Sequence, residues 1–287
     1  MKQNNTVTLR VWGDFACFTR PEMKVERVSY PVMTPSAARG IFEAIYWEPQ
    51  MYYIIDSIRV VKPVQWISFR RNELTKVISI DSAKTWMKTP EKVKPIQAGG
   101  GAEDATQRNM LALKNVEYLI TAEVRTTPLI DKPEKNISTY LEQIKRRARV
   151  GKCFHRPALG VREFAADFEL VEGDPDEILK RLIEEEKRMG NEANLLNEDY
   201  GLILYDVFAH NERADGFRWL REDEINAGVS VSKPSGRKQK VSSEKVRWKG
   251  KLVKPQAVFF HAKLEQSVLD CHPDRIEILT SSAEGGN

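Results

Sequence analysis

Hydrophobic and polar positions alternate over Thr6–Trp12 (TVTLRVW), the period-two signature of a strand with one buried face. The period then changes. Over Pro35–Trp47 the apolar residues Ala37, Ala38, Ile41, Ala44 and Ile45 form a helical stripe. Thr34-Pro35-Ser36 before it reads as an N-cap followed by proline at the first helical position. Tyr52–Val61 and Val64–Phe69 are strand segments separated by Pro63. Leu74–Thr106 is weakly patterned and contains Pro90, Pro95 and Gly99–Gly101, so a loop or flap is expected there. Val116–Val124 is a strand, Ile137–Val150 a basic helix stopped by Gly151, and Phe164–Leu170 a strand. The order strand–helix–strand–strand–helix–strand is that of a ferredoxin-like, RRM-type fold.

Further along, Asp174-Pro175-Asp176-Glu177 opens an acidic helix that runs to about Met189. Gly201–Phe208 and Ala257–Ala262 read as strands. Lys233–Lys254, with Pro234, Ser235, Gly236, Ser242 and Ser243, reads as a flexible basic loop, and Thr280–Asn287 as a disordered tail. The expected class is α+β. An N-terminal ferredoxin-like domain would span 1–171 with a loop inserted at about 74–106, and a smaller β-rich region would span 172–287.

Composition narrows the setting. The 287 residues are 41% hydrophobic and 30% charged, which fits a globular protein. Apolar runs long enough for a membrane span are absent, and MKQNNTVTLRVW lacks a signal-peptide core. Cys17, Cys153 and Cys271 are far apart and odd in number, so a reducing cytoplasm is expected. No His or Cys spacing suggests a metal, and Gly99–Gly101 lacks the GK[ST] of a phosphate-binding loop, so neither metal nor cofactor is expected.

The formal net charge of +4 matters less than its distribution. Lys233–Lys254 holds nine Lys/Arg against Glu244 alone, whereas Asp167–Asp199 holds twelve acids against four bases. One face for a polyanion and another for solvent or a protein partner would follow. Asp14–Pro49 sharpens this, because Arg20, Lys24, Arg27 and Arg39 are interleaved with Phe15, Phe18 and Tyr30. Cations beside stacking rings are what single-stranded RNA requires; the alternative is a solvated loop with a few buried rings. A second basic cluster, Lys145, Arg146, Arg147, Arg149, Lys152 and Arg156, lies on and after the basic helix and would clamp RNA phosphates. Arg70 and Arg71 are weaker candidates for the same role.

The run TRPEMKVERVSYPVMTPSAARGIFEAIYW closely resembles the start of the Cas-five family of CRISPR-associated proteins, in its type I-C branch. The resemblance continues through FRRNE (Phe69–Glu73), QRNMLALKNVEYLI (Gln107–Ile120), RRARVGKCFHRPALGVREFAADFEL (Arg146–Leu170) and, weakly, YGLILYDV (Tyr200–Val207). It covers most of residues 6–208 and ends near Phe208. It implies a ferredoxin-like fold and an endoribonuclease that cuts precursor CRISPR RNA within the repeat. The protein would then hold the 5′ handle of the product as a subunit of the Cascade surveillance complex. Its partners would be the crRNA, the backbone and large subunits, and target DNA in the assembled complex. The alternative is a structural crRNA-capping subunit that does not cut.

The family's cleavage needs no metal, since the 2′-hydroxyl attacks the adjacent phosphate and the protein orients groups and moves protons. By resemblance Tyr46 in AIYWEP matches the family's catalytic tyrosine and Lys114 in LALKNVEY its lysine. Asn115 stands where the family often carries histidine. Asn holds a phosphate or hydroxyl oxygen but exchanges no proton near neutral pH. Three outcomes therefore stay open. Tyr46 and Lys114 suffice for slow cutting, His155 in GKCFHRP, which otherwise reads as an RNA-binding residue of the basic cluster, supplies an imidazole from elsewhere, or the chain binds RNA without cutting.

Overall fold

The computed structural model describes residues 5–127, 137–210, 213 and 256–280, together with short strands at Arg218–Trp219, Val229–Ser232, Lys238–Val241 and Leu252–Val253. In chain order the elements are β1 Thr6–Ala16, β2 Arg27–Val28, α1 Pro35–Ile45, β3 Met51–Val60, β4 Trp66–Leu74, α2 Ile80–Lys88, a 3-10 turn Pro90–Lys92 and β5 Ala105–Thr126. Then follow α3 Ile137–Arg149, β6 Asp167–Val171, α4 Pro175–Arg188, β7 Glu198–Asp206, β8 Arg218–Trp219, β9 Val229–Ser232, β10 Lys238–Val241, β11 Leu252–Val253, β12 Val258–Glu265, β13 Val268–Asp270 and β14 Ile278–Thr280.

The central sheet order β3-β5-β1-β6 is antiparallel throughout, and with α1 and α3 as crossovers it is the ferredoxin-like arrangement that the element order predicts. β5 is the spine. Its second half pairs with β1 and β3, and its first half carries β4 as a long ribbon. Val7, Leu9, Val11, Tyr118, Ile120, Ala122 and Val124 point from this sheet into one core beneath Ile41, Phe42 and Ile45 of α1 and Tyr140, Leu141 and Ile144 of α3. On the other sheet face Leu119 meets Leu179, Leu182 and Ile183 of α4.

Four expectations change. The segment 74–106 is not a plain loop. Ser79 caps α2, accepting from the Ser82 N–H at 3.0 Å, and β4 and β5 extend to its base. No residue of α2 is buried. The expected strand at Phe164–Leu170 begins only at Asp167, because Phe164 and Ala165 belong to a turn folded onto the end of β1. There Gly160 has φ +88, and a Cβ at this position would lie 2.0 Å from the Cys17 carbonyl oxygen, so only glycine fits. The boundary at residue 171 marks no break in the sheet. β13 pairs with β3, and Ile203, Tyr205, Val258 and Phe260 share the core of Leu9. Finally, two pieces of the expected basic loop 233–254 are strands, β10 and β11, while its remainder and residues 281–287 lie outside the described residues.

Candidate active site

Two of the sequence-derived catalytic residues sit together, and the third, Tyr46, stands apart from them. Thr34 caps α1 by accepting from the Ala37 N–H at 3.3 Å, Pro35 takes the first turn, and the apolar stripe is buried. The helix ends at Ile45. Tyr46 turns to extended backbone (φ −157°) and Pro49 lies three residues on, so the chain leaves the helix and enters β3. Tyr46 is held on three sides. Its carbonyl accepts the Tyr53 hydroxyl at 2.7 Å, its own hydroxyl donates to Glu48 Oε1 at 2.6 Å, and the Arg147 guanidinium lies over its ring, 5.3 Å from the centroid. Tyr46 as a whole is 8% exposed. Burial first, and then the Glu48 carboxylate, push its phenol well above the ordinary tyrosine range.

α3 delivers the cations. Gly151 takes φ +66° just after the helix, the left-handed stop that the sequence predicts, and lets the chain double back. The backbone N–H groups of Phe154 and His155 then both donate to the Ala44 carbonyl, at 2.8 and 3.1 Å, and Arg147 donates to the Ile45 carbonyl at 3.1 Å. The last turn of α1 thereby holds the His155 backbone two residues from Tyr46. The exposed His155 ring packs edge-on against Phe154, 4.7 Å between centroids. Phe154 itself is 78% exposed and Trp47 is 50% exposed. Arg146 and Lys152 are exposed beside this end of α3, Lys145 is half-buried, Arg149 pairs with Glu172 and Arg156 with Asp167. Exposed rings next to cations suit unstacked RNA bases and their phosphates.

Lys114 and Asn115 lie elsewhere. Tyr53, bonded to Tyr46, pairs with Val124 near the C-terminal end of β5, whereas Lys114 pairs with Phe15 near its middle. About ten residues of strand separate the two levels, roughly 30 Å. Lys114 is exposed, and its N–H bonds the Gln65 carbonyl. Asn115 is skipped by the β1 pairing, has φ +51° and accepts from Lys62 Nζ at 3.1 Å. Such a left-handed bulge favours Asn over most residues, which gives it a local structural reason to be there.

The first basic run also divides. Arg39 is no RNA contact. It is largely buried, with 14% of its side chain exposed, donates to Asp206 at 2.9 and 3.1 Å and to Glu43 at 2.6 Å, and so ties α1 to β7. Arg27 and Arg71 share Glu73 and Glu163, leaving them largely neutralised. Arg20 lies over Tyr30, 5.2 Å from its centroid, while Lys24 and Arg70 are exposed. The sheet face that RRM-type proteins use for RNA is covered by α4 and filled by ion pairs: Arg10 with Glu117 and Glu169, Lys62 with Glu117 and Glu186, and Arg59 with Asp176. Sequence reasoning missed Glu48 and Trp47, although both stand in the same YWEP run as Tyr46.

Known proteins resemble this chain in sequence and in fold. A family model described as CRISPR-associated protein (Cas_Cas5) matches residues 6–264, well past the limit near Phe208 that the motifs suggest. A protein of Mannheimia succiniciproducens named CRISPR pre-crRNA endoribonuclease Cas5d is 42% identical over 215 residues, 75% of this chain and 90% of its own. One of the same name from Thermus thermophilus is 42% identical over 201 residues, 69% of this chain and 72% of its own. A crystal structure of a CRISPR-associated protein superposes with TM-score 0.50 at 17% identity, covering 92% of this chain and 90% of that one. The functionally uncharacterized protein SMU1763c from Streptococcus mutans does so with TM-score 0.50 at 18%, covering 96% and 97%. At these identities the two structures speak for the fold alone.

Proposed function

The chain belongs to the Cas5 family of CRISPR-associated proteins, and from that premise we propose that it is a metal-independent endoribonuclease of the type I-C kind that cuts precursor CRISPR RNA within the repeat. After cutting it holds the 5′ handle and serves as a subunit of Cascade, beside the backbone and large subunits and, in the assembled complex, target DNA. The observation that carries the cleavage is the cluster at the end of α1: Tyr46 under Arg147, with the His155 backbone fastened to the same helix turn and Phe154 exposed beside it.

These groups supply what the reaction demands. The phenolic oxygen of Tyr46 takes the proton of the attacking 2′-hydroxyl. Arg147 and the His155 imidazole face the phosphorane, whose extra negative charge they stabilise. Phe154 and Trp47 stack the flanking bases and hold the phosphate in line. Arg146 and Lys152 track the backbone beyond the cut. Of the three routes that the Asn115 position leaves open, the geometry favours the imidazole of His155, because Lys114 and Asn115 are remote from Tyr46. The test is repeat RNA incubated with purified protein in EDTA. Cleavage is the expected outcome, and tight binding without cleavage would leave the capping-subunit reading in its place.

A further inference from the structure

The phenol of Tyr46 is already committed. Its hydrogen points to Glu48 Oε1 across 2.6 Å. A phenol has one hydrogen to donate, so once that hydrogen is spent on Glu48 the oxygen offers a substrate only its acceptor lone pairs. Burial and the adjacent carboxylate also make the phenol a reluctant acid, so a standing phenolate is not at hand near neutral pH. A phenol in this state removes a proton only by passing its own onward in the same motion. The group in reach to receive it is Glu48.

We propose that Glu48 is the positioning residue and proton acceptor for Tyr46 during RNA cleavage, an inference that rests on the nuclease reading above. In the step, the 2′-O–H proton moves to the Tyr46 oxygen while the Tyr46 proton moves to Glu48 Oε1. The 2′-oxygen bonds to phosphorus. The bond from phosphorus to the 5′-oxygen breaks, and that oxygen leaves with the electron pair and takes a proton from water. The products are a cyclic phosphate and a 5′-hydroxyl, and Glu48 later returns its proton to solvent.

The surroundings suit this role. Glu48 precedes Pro49, which restricts its backbone to extended conformations. The turn is pinned to the end of β5, where Thr127 donates its hydroxyl to the Pro49 carbonyl at 2.9 Å and its N–H to the Gln50 carbonyl at 2.8 Å. The Met51 N–H closes the turn on the Glu48 carbonyl at 3.0 Å. Around the pair, α3 contributes Arg147 and the Tyr140 phenol, and β3 contributes the Tyr53 phenol. Arg147 is the cation over the ring, placed to offset negative charge as it builds on the phenolic oxygen.

The experiment is single-turnover cleavage of repeat RNA by the wild type, Glu48→Gln, Glu48→Asp, Tyr46→Phe and the Tyr46→Phe/Glu48→Gln double variant. Affinity is measured in parallel on a repeat that is 2′-deoxy at the cut site. Glutamine keeps an acceptor oxygen but loses basicity, so Glu48→Gln should slow cutting by ~10-fold or more with affinity unchanged within ~2-fold, and Glu48→Asp should retain most activity. The double variant should be no slower than Tyr46→Phe alone, because Glu48 acts only through that hydroxyl. A merely structural Glu48 would instead give losses that multiply, and that result, or Glu48→Gln cutting at the wild-type rate, overturns the proposal. Should the glutamine variant not fold, Glu48→Ala with added formate replaces it: restored cutting supports the role, and none opposes it. If the wild type itself leaves the repeat intact, the nuclease reading and this inference fall together. If the wild type cuts and the cycle is additive, only this inference falls.

Discussion

Tyr46 and Lys114 stand at different levels of β5: the first is tied through Tyr53 to Val124 near the strand's C-terminal end, and the second pairs with Phe15 near its middle. One phosphate is too small to be reached from both. Tyr46→Phe should therefore slow cleavage by ~10²-fold, whereas Lys114→Ala should change it by less than ~3-fold. Single-turnover rates on one repeat RNA decide this. Equal losses in the two variants would place Lys114 back at the reacting atoms.

Arg146 and Lys152 are exposed at the end of α3 that meets Tyr46. Replacing both by alanine should weaken RNA binding and lower the slope of log affinity against log salt by about 0.7 for each phosphate that is no longer neutralised. Titrations at several salt concentrations measure the slope. An unchanged slope would mean that this face meets solvent or a protein neighbour instead of RNA.

Arg39 makes the opposite prediction. Burial raises the Asp206 carboxyl, but the charges of Arg39 and Arg213 and the hydrogen bonds from Arg39 outweigh it and hold the group below its usual range. Arg213, pushed down to about 10 by burial and by Arg39, is still charged at neutral pH. Arg39→Ala leaves a buried carboxylate short of its main partner and should cost about 3–5 kcal/mol of stability. The salt slope of RNA binding by the folded fraction should not move. Because the Asp206 pKa is lower in the folded state, its contribution is complete above the ordinary aspartate pKa and disappears as pH falls through the lowered value. Thermal melts from neutral pH into acid should thus show a steeper acid loss in the wild type than in Asp206→Asn.

The sequence makes the sheet and its two crossover helices legible, because Thr6–Trp12 and the α1 stripe each bury one face with the matching period, and Val116–Val124, buried on both faces, is a run rich in branched and aromatic residues. It hides α2, a helix of 9 residues whose short stripe of Ile80, Ala83, Trp86 and Met87 buries nothing. The site is half legible. Tyr46 and the cluster Arg147–His155 are visible as chemistry, but what joins them is backbone: two N–H groups on the Ala44 carbonyl, made possible by the turn at Gly151. Arg39 misleads for a related reason. Its spacing beside Arg20 and Arg27 suggests a basic surface, while its partner Asp206 lies far off in sequence on β7. Asn115 reads in the sequence only as a substituted catalytic position, while its left-handed backbone shows a local structural fit that the sequence does not reveal.

The central claim is that the cluster around Tyr46 directs the RNA's own 2′-hydroxyl against the phosphate. It is tested most directly by comparing two repeat RNAs, identical except for one 2′-deoxy nucleotide at the cut site, each incubated with the protein in EDTA. The account predicts that the all-ribose strand is cut to a cyclic phosphate and a 5′-hydroxyl while the 2′-deoxy strand is bound equally well and stays whole. Cutting of the 2′-deoxy strand at the same site and rate would contradict it.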